Sequence, residues 1–284
     1  MRIASQAEQS LREGNLTQAL AQLQDQVRSQ PAQADYRVFL FQLLAVLGEW
    51  QRALTQLDVA ADLDAGTLAM VQTYREAVHC EIYRNEVFVG KRSPLLFGKP
   101  EPWVAMVLQA LGLSANGQHS QAQELRAQAY EAVAMTSGTL DGQPFEWIAD
   151  ADSRLGPMLE AIVNGNYYWI PFNRIQHIQL EAPEDLRDLI WVPAQFTWSN
   201  GGQTVGLIPT RYAGSDTSED SQILMSRKTE WLDRGDEEFI GLGQRILTTD
   251  VNEYPLLDVR DIVLNAANAE DTDAGDPSAE EPQG

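Results

Sequence analysis

Two runs of carboxylates are the residues of this sequence whose type and spacing could do chemistry. Glu181, Glu184, Asp185 and Asp188 form one, and Asp250, Glu253, Asp258 and Asp261 form the other. Neighbouring carboxylates can move protons in a hydrolase or hold a hard cation through oxygen ligands. Each run also carries arginine: Arg187 in the first and Arg260 in the second, with Arg211, Arg227 and Arg245 nearby in the chain. Arginine grips a carboxylate in two-pronged pairs that lock loops together. Structural pairing is therefore the expected role. A cytosolic enzyme, hydrolytic or metal-dependent, stays open as the alternative if Asp185, Arg187, Asp188 and Arg211 meet in one solvent-open cleft.

Other chemistry lacks its residues. The sequence has no G-x-S-x-G elbow, no H-E-x-x-H and no P-loop. Between Gly90 and Gly98-Lys99 the spacing is wrong for a phosphate loop, and Pro100 stands where a helix should start. Gly241-Leu242-Gly243 begins like a dinucleotide fingerprint, but Ile246 occupies the place of the third glycine. His79, His119 and His177 are far apart, and Cys80 is the only cysteine, so neither a zinc site nor an intrachain disulfide is expected. No catalytic residue, metal or cofactor is expected.

The elements that would carry these residues fall into two kinds. Gly14-Asn15-Leu16-Thr17-Gln18-Ala19-Leu20 recurs as Gly48-Glu49-Trp50-Gln51-Arg52-Ala53-Leu54, an offset of 34 residues. That is the period of the tetratricopeptide repeat. Gly14 and Gly48 permit a tight turn between antiparallel helices, and the small Ala19 and Ala53 let those helices approach. A third copy is expected at Gly117 to Ala122. Helices are expected near 2–13, 17–30, 35–47, 51–63, 67–87, 102–115 and 119–135. A solenoid of this kind presents a concave face that grips a peptide or helix, and Arg37 and Phe41 are the expected anchors on it.

From Thr139 the pattern changes. Leu140 to Pro144 reads as a turn-rich linker and Leu155 to Val163 as a short helix ended by Asn164-Gly165. Strands are expected at 167–172, 175–180, 190–198, 203–208, 245–249 and 259–264, with Asn200-Gly201 turning a hairpin. Five of the seven tryptophans lie in this half, Trp231 among them, which gives it an aromatic core. The division expected is a TPR-like helical repeat domain over 1–138, an α+β domain over 139–265 and an acidic, disordered tail over 266–284.

Charge narrows the partners. The 284 residues carry 20 Lys and Arg against 41 Asp and Glu, a net charge of −21. Binding to phosphate backbones draws on Lys and Arg that displace counterions, so nucleic acid and anionic membranes are not expected partners. The most apolar stretch, Val38 to Leu47, is interrupted by Gln42 and is about half the ~20 residues a spanning helix needs. The first residues lack the apolar run of a signal peptide, and a cytoplasmic protein is expected.

Five motifs in order resemble one family. Asp185-Leu186-Arg187-Asp188-Leu189-Ile190-Trp191-Val192-Pro193-Ala194 leads into Asn200-Gly201-Gly202. Leu207-Ile208-Pro209-Thr210-Arg211-Tyr212, Arg227-Lys228-Thr229-Glu230-Trp231, Gly241-Leu242-Gly243-Gln244-Arg245 and Tyr254-Pro255-Leu256-Leu257-Asp258-Val259-Arg260 follow. Together with the N-terminal helices, over about residues 1–265, these are similar to the ImpE family, also called SciE or TagJ, accessory proteins of type VI secretion. The resemblance implies a cytoplasmic non-enzyme that binds the small sheath subunit (TssB, VipA-like). It also implies a link to the AAA+ ATPase ClpV, which disassembles contracted sheath.

Overall fold

In this computed structural model the described residues are 4–235 and 238–265, with side chains from Gln6 onward. The acidic tail expected at 266–284 lies outside them. Seven helices come first: α1 (Ala4–Arg12), α2 (Leu16–Ser29), α3 (Ala34–Val46), α4 (Trp50–Leu63), α5 (Leu68–Phe88), α6 (Pro102–Ala115) and α7 (His119–Ala132). Three of the turns share one device. Gly14, Gly48 and Gly117 sit between α1 and α2, α3 and α4, and α6 and α7, with φ of +79°, +69° and +76°, a region that residues with a Cβ avoid. Five positions after each, Ala19, Ala53 and Ala122 are fully buried. The helices are therefore three antiparallel hairpins with a single longer helix, α5, between the second and third.

Fourteen strands accompany them: β1 (Leu95–Leu96), β2 (Gly138–Leu140), β3 (Gln143–Phe145), β4 (Ile148–Asp150), β5 (Met158–Val163), β6 (Asn166–Pro171), β7 (Ile175–Leu180), β8 (Trp191–Trp198), β9 (Gln203–Pro209), β10 (Thr229–Asp233), β11 (Phe239–Gly243), β12 (Ile246–Thr249), β13 (Glu253–Pro255) and β14 (Asp261–Leu264). Nine of them form one sheet in the order β1-β6-β5-β9-β8-β7-β14-β2-β3. A ribbon pairs β10 with β11, and a small sheet runs β13-β12-β4. The short helix α8 (Ser221–Leu224) precedes the ribbon. The fold is thus a helical part followed by a strand-rich α+β part. The segment after α5 does not stay with the helices: β1 lies parallel to β6 at the sheet edge.

Two sequence expectations are corrected here. Leu155 to Val163 is not a helix. Its core is β5, buried at every position, so the polar–apolar alternation that marks a half-exposed strand is missing. Asn164 and Gly165, expected to stop that helix, have φ of +48° and +73° and turn the β5–β6 hairpin. The supposed linker at 140–144 is likewise a hairpin: Asp141 and Gly142, both at positive φ, join β2 to β3.

Strand alternation separates two cores. Met158, Ile162, Tyr167, Trp169 and Trp191 face the helices and share a core with Phe41, Tyr74 and Val78. Leu159, Ala161, Val163, Ile170, Val192 and Phe196 face the other way and are covered by Phe145, Ile148, Leu247 and Leu256. Period two also turns Glu160 toward the helices. There it meets α5, whose Tyr74, Glu81, Arg84 and Phe88 fall on the buried side. Arg84 Nε and Nη2 donate to the two oxygens of Glu160 at 2.6 and 2.9 Å. From the opposite side Arg245 bonds the same carboxylate and also Asp150. The Tyr167 hydroxyl donates to Glu160 as well. Arg84 donates further to the Arg211 carbonyl at 2.9 Å, and Trp191 Nε1 to Glu81 at 3.1 Å. Burial alone would favour the neutral acid, but two guanidiniums hold Glu160 well below the usual carboxylate range.

Asp150 is the second carboxylate on Arg245, and burial pushes it up from 3.8 to about 7 despite that arginine. The folded chain therefore binds a proton that the unfolded chain has released between these values. The stabilisation from Asp150 is complete below its unfolded pKa and lost as pH rises through the folded one. Melting midpoints taken from about pH 5 to about pH 8 should fall more in the wild type than in Asp150→Asn; an equal fall in both would contradict this account. The repeat packing gives a second test. Ala53→Asp buries an unpaired carboxylate on α4 and should cost several kcal/mol, and Ala53→Ser far less. Thermal denaturation of both variants decides it, and a wild-type midpoint for Ala53→Asp would refute the packing.

Candidate partner-binding groove

An open groove of about 1150 Å³ lies where the helical part meets the strand-rich part. One wall is helical. α3 contributes Asp35, Val38, Phe39 and Gln42, and α1 contributes Glu8, Leu11 and Arg12. The four from α3 are spaced i, i+3, i+4, i+7, one face of a helix, and Tyr36 lines the groove beside them. The opposite wall is the segment Pro183 to Leu189, with Met225 and Arg227 beyond it. Gly66, Thr67 and Met70 line the groove from the α4–α5 connection and the start of α5.

The second wall is held rigidly. Asp185 caps the short 3-10 turn Leu186–Leu189, and Asp188 reciprocates. The Asp188 carboxylate accepts the backbone N–H of Glu184 and of Asp185 at 2.9 and 2.8 Å. Arg187 pairs with Asp185 at 2.6 Å, and its guanidinium lies 4.7 Å from the centre of the Tyr74 ring. Burial raises the Tyr74 hydroxyl to about 12, against the lowering effect of Arg187. Leu189 is tied at its carbonyl by the hydroxyls of Thr210 and Ser226, each at 2.5 Å.

The four residues that could have formed an acid–base centre do not converge. Asp185 and Arg187 stand at the groove wall, Asp188 is turned into its own loop, and Arg211 is elsewhere. Arg211 is buried and donates to the carbonyls of Val46 and Leu224, both at 2.7 Å, and of Ala45 at 3.3 Å. Burial without a bonded carboxylate lowers its pKa to about 10. Arg187 makes the expected kind of carboxylate pair, with Asp185, whereas Arg211 holds backbone carbonyls instead. The Cys80 thiol is buried, pushed up to about 12, and donates to the Gly165 carbonyl. Among the described residues no group of three or more His, Cys, Asp or Glu could hold a metal ion, and no helix is long and apolar enough to cross a membrane. A second cavity of about 400 Å³, lined by Tyr130, Met135, Trp147 and Pro157, is mainly apolar.

Neither residue expected to anchor a partner faces the groove. Phe41 has no exposed surface and packs against Tyr74, ring centres 5.7 Å apart. Arg37 is half-buried and donates to Gln56 on α4 at 2.9 Å. The groove residues are their neighbours Val38 and Phe39, both half-buried. Sequence alone offered little to choose between them. α3 is apolar nearly all round from Phe39 to Val46, because α2, α4 and the 186–189 turn all pack on it, and such a helix has no stripe to mark an outer face. Trp231, on β10, lies outside the groove; it is partly exposed and packs on Tyr212 at 5.5 Å.

A helical-hairpin array fastened to a strand-rich half, with an open groove at the seam, is the class of protein these features define. The profile of the family described as ImpE protein matches residues 142–263. The type VI secretion system accessory component TagJ of Pseudomonas aeruginosa is 50% identical over 267 residues, covering 94% of each chain. The chain belongs to this family of type VI secretion accessory components. The crystal structure of protein VPA1032 from Vibrio parahaemolyticus has the same fold, with a TM-score of 0.84 at 24% identity over 93% of this chain and 99% of that one.

The placement of the two phenylalanines can be measured. Phe41→Ala empties a closed core and should cost about 3–5 kcal/mol, whereas Phe39→Ala should cost distinctly less. Urea denaturation of both variants reads the difference, and equal losses would mean that Phe39 is not at a surface.

Proposed function

We propose that the protein is a cytoplasmic, non-enzymatic adaptor of the type VI secretion system. Its groove takes a helix of the small sheath subunit (TssB, VipA-like), and through that contact the adaptor influences how the AAA+ ATPase ClpV handles the sheath. Family membership supplies the secretion role. The observation that carries the binding mode is the groove itself: an open trough whose facing sides carry the apolar Val38, Phe39, Met70, Leu186 and Leu189 among polar and charged side chains. Helix-in-groove recognition uses such apolar side chains to receive anchors at i, i+3/i+4 and i+7. The TPR-like spacing of the hairpins is consistent with the same use, since such arrays present their first helices to a ligand.

A labelled peptide spanning a helix of the sheath subunit, titrated into wild type, Phe39→Ala and Arg37→Glu, tests this reading. Wild type should bind, Phe39→Ala should bind about tenfold or more weakly, and Arg37→Glu should differ little. Affinity should fall only modestly with salt, because the anchoring contacts are apolar and the charges among them are screened. No binding by a folded wild type would sink the proposal. Loss in Arg37→Glu with none in Phe39→Ala would move the site to the far face of α3.

A further inference from the structure

The groove has two unlike ends. Arg211 joins the carbonyls of Val46 and Leu224, which places α8 and the segment after it against the C-terminal end of α3. The turn at Gly14 abuts the same place: a Cβ there would lie 3.2 Å from Ser221 Oγ. Arg12, two residues before that turn, and Arg227, whose N–H is bonded to the Gln222 carbonyl, therefore share this end. Both are exposed, and among the described residues neither enters an ion pair. Asp35 lies in the first turn of α3, at the other end, exposed and likewise without a described ion pair. Along α3 the distance from Asp35 to Val46 is about 16 Å, three turns. Glu8, a turn before Arg12 on α1, also lines the groove. Among the other charged lining residues Asp185 and Arg187 pair with each other, and Glu8 and Glu184 add two carboxylates; the groove's unpaired arginines stand at the end of α3, and Asp35 stands at its start.

From this polarity we infer that the groove accepts its helix in one direction, parallel to α3, with an acidic last turn held between Arg12 and Arg227 and a basic first turn beside Asp35. The inference rests on the helix-binding reading above. The partner's chemistry follows from two complementary fields. A helix carries partial positive charge at its N-terminus and partial negative charge at its C-terminus, so seating parallel to α3 places its negative end at the arginines. Acidic side chains in its last turn would lower that helix's own stability in isolation and are compensated only in the groove. Reversed seating would bring like charges together at both ends.

Two synthetic peptides with identical apolar anchors, each held helical by a side-chain lactam, separate the cases. One carries Lys in the first turn and Glu in the last; the other has these exchanged. Titrated into the full chain, the first should bind about fivefold more tightly, a preference that fades as salt rises. Arg12→Glu combined with Arg227→Glu should abolish or reverse the preference, while Phe39→Ala should weaken both peptides alike. Equal affinities, the opposite preference, or a preference unchanged in the double variant would overturn the directionality and leave helix binding standing. Binding of neither peptide, with concentration-dependent self-association lost in Phe39→Ala, would assign the groove to a second copy of the chain and overturn both readings.

Discussion

One carboxylate, Glu160, sits between two guanidiniums that belong to different parts of the chain, and the rest of the architecture depends on it. Arg84 reaches it from the long helix α5, and Arg245 reaches it from the connection before β12. All three side chains are buried. A buried ion is costly unless a partner and further hydrogen bonds replace its water. Here Tyr167, Glu81, Asp150 and the Arg211 carbonyl complete those shells. The arrangement can be satisfied in one relative placement of helix and sheet. It thereby fixes where α3 lies with respect to the 183–189 segment, and with it the width of the groove.

Other contacts across the seam agree with that placement. Asp216 accepts from Trp50 Nε1 at 3.1 Å and from Asn85 Nδ2 at 3.2 Å, so one carboxylate serves α4 and α5 together. A Cβ on Gly48 would come within 2.7 Å of Asp216, and the turn at Gly48 would be forced off the strand-rich part. Trp191 lies between Trp50 and Tyr74 in a tilted chain across the parts, with ring centres 6.1 and 5.8 Å from its own. Glycine at 48 thus closes a hairpin and admits a neighbour as well.

The helical part was legible because its signals are local. Glycine at the turns, alanine five positions later and proline at the start of α6 each act within a few residues, and the seven helices fall close to where those residues place them. The hairpin at 164–165 was misread because an Asn-Gly turn looks the same whether it ends a helix or joins strands, and the one at 141–142 because Asp-Gly marks a linker as readily as a turn between short strands. β5 was misread for a different reason: a strand buried on both faces has no alternation, and its one charged residue, Glu160, is hidden. The groove was legible only as a possibility. Its facing sides are made by α3 and a loop about 145 residues later in the chain, and which face of α3 it uses is decided by what covers the others. The arginine–carboxylate pairing expected around residues 185–188 is present as Asp185 with Arg187, whereas the decisive partners of Glu160 lie 76 and 85 residues away.

That separation bears on how the chain folds. Leu95 and Leu96 leave α5 to pair with Tyr168 and Trp169, so the sheet edge is laid down by residues synthesised before the third helical hairpin. Until β5 and β6 emerge, Arg84 and Glu81 on α5 have only each other. Helical hairpins close quickly because their contacts are near in sequence, and pairings across some seventy residues close slowly because the intervening loop must first be ordered. The N-terminal hairpins can therefore form early, while α5 must wait, exposed and carrying charge meant for the interior, for the middle of the chain. The seam that gives the groove its shape joins residues far apart in the chain and cannot close before Arg245 has been made.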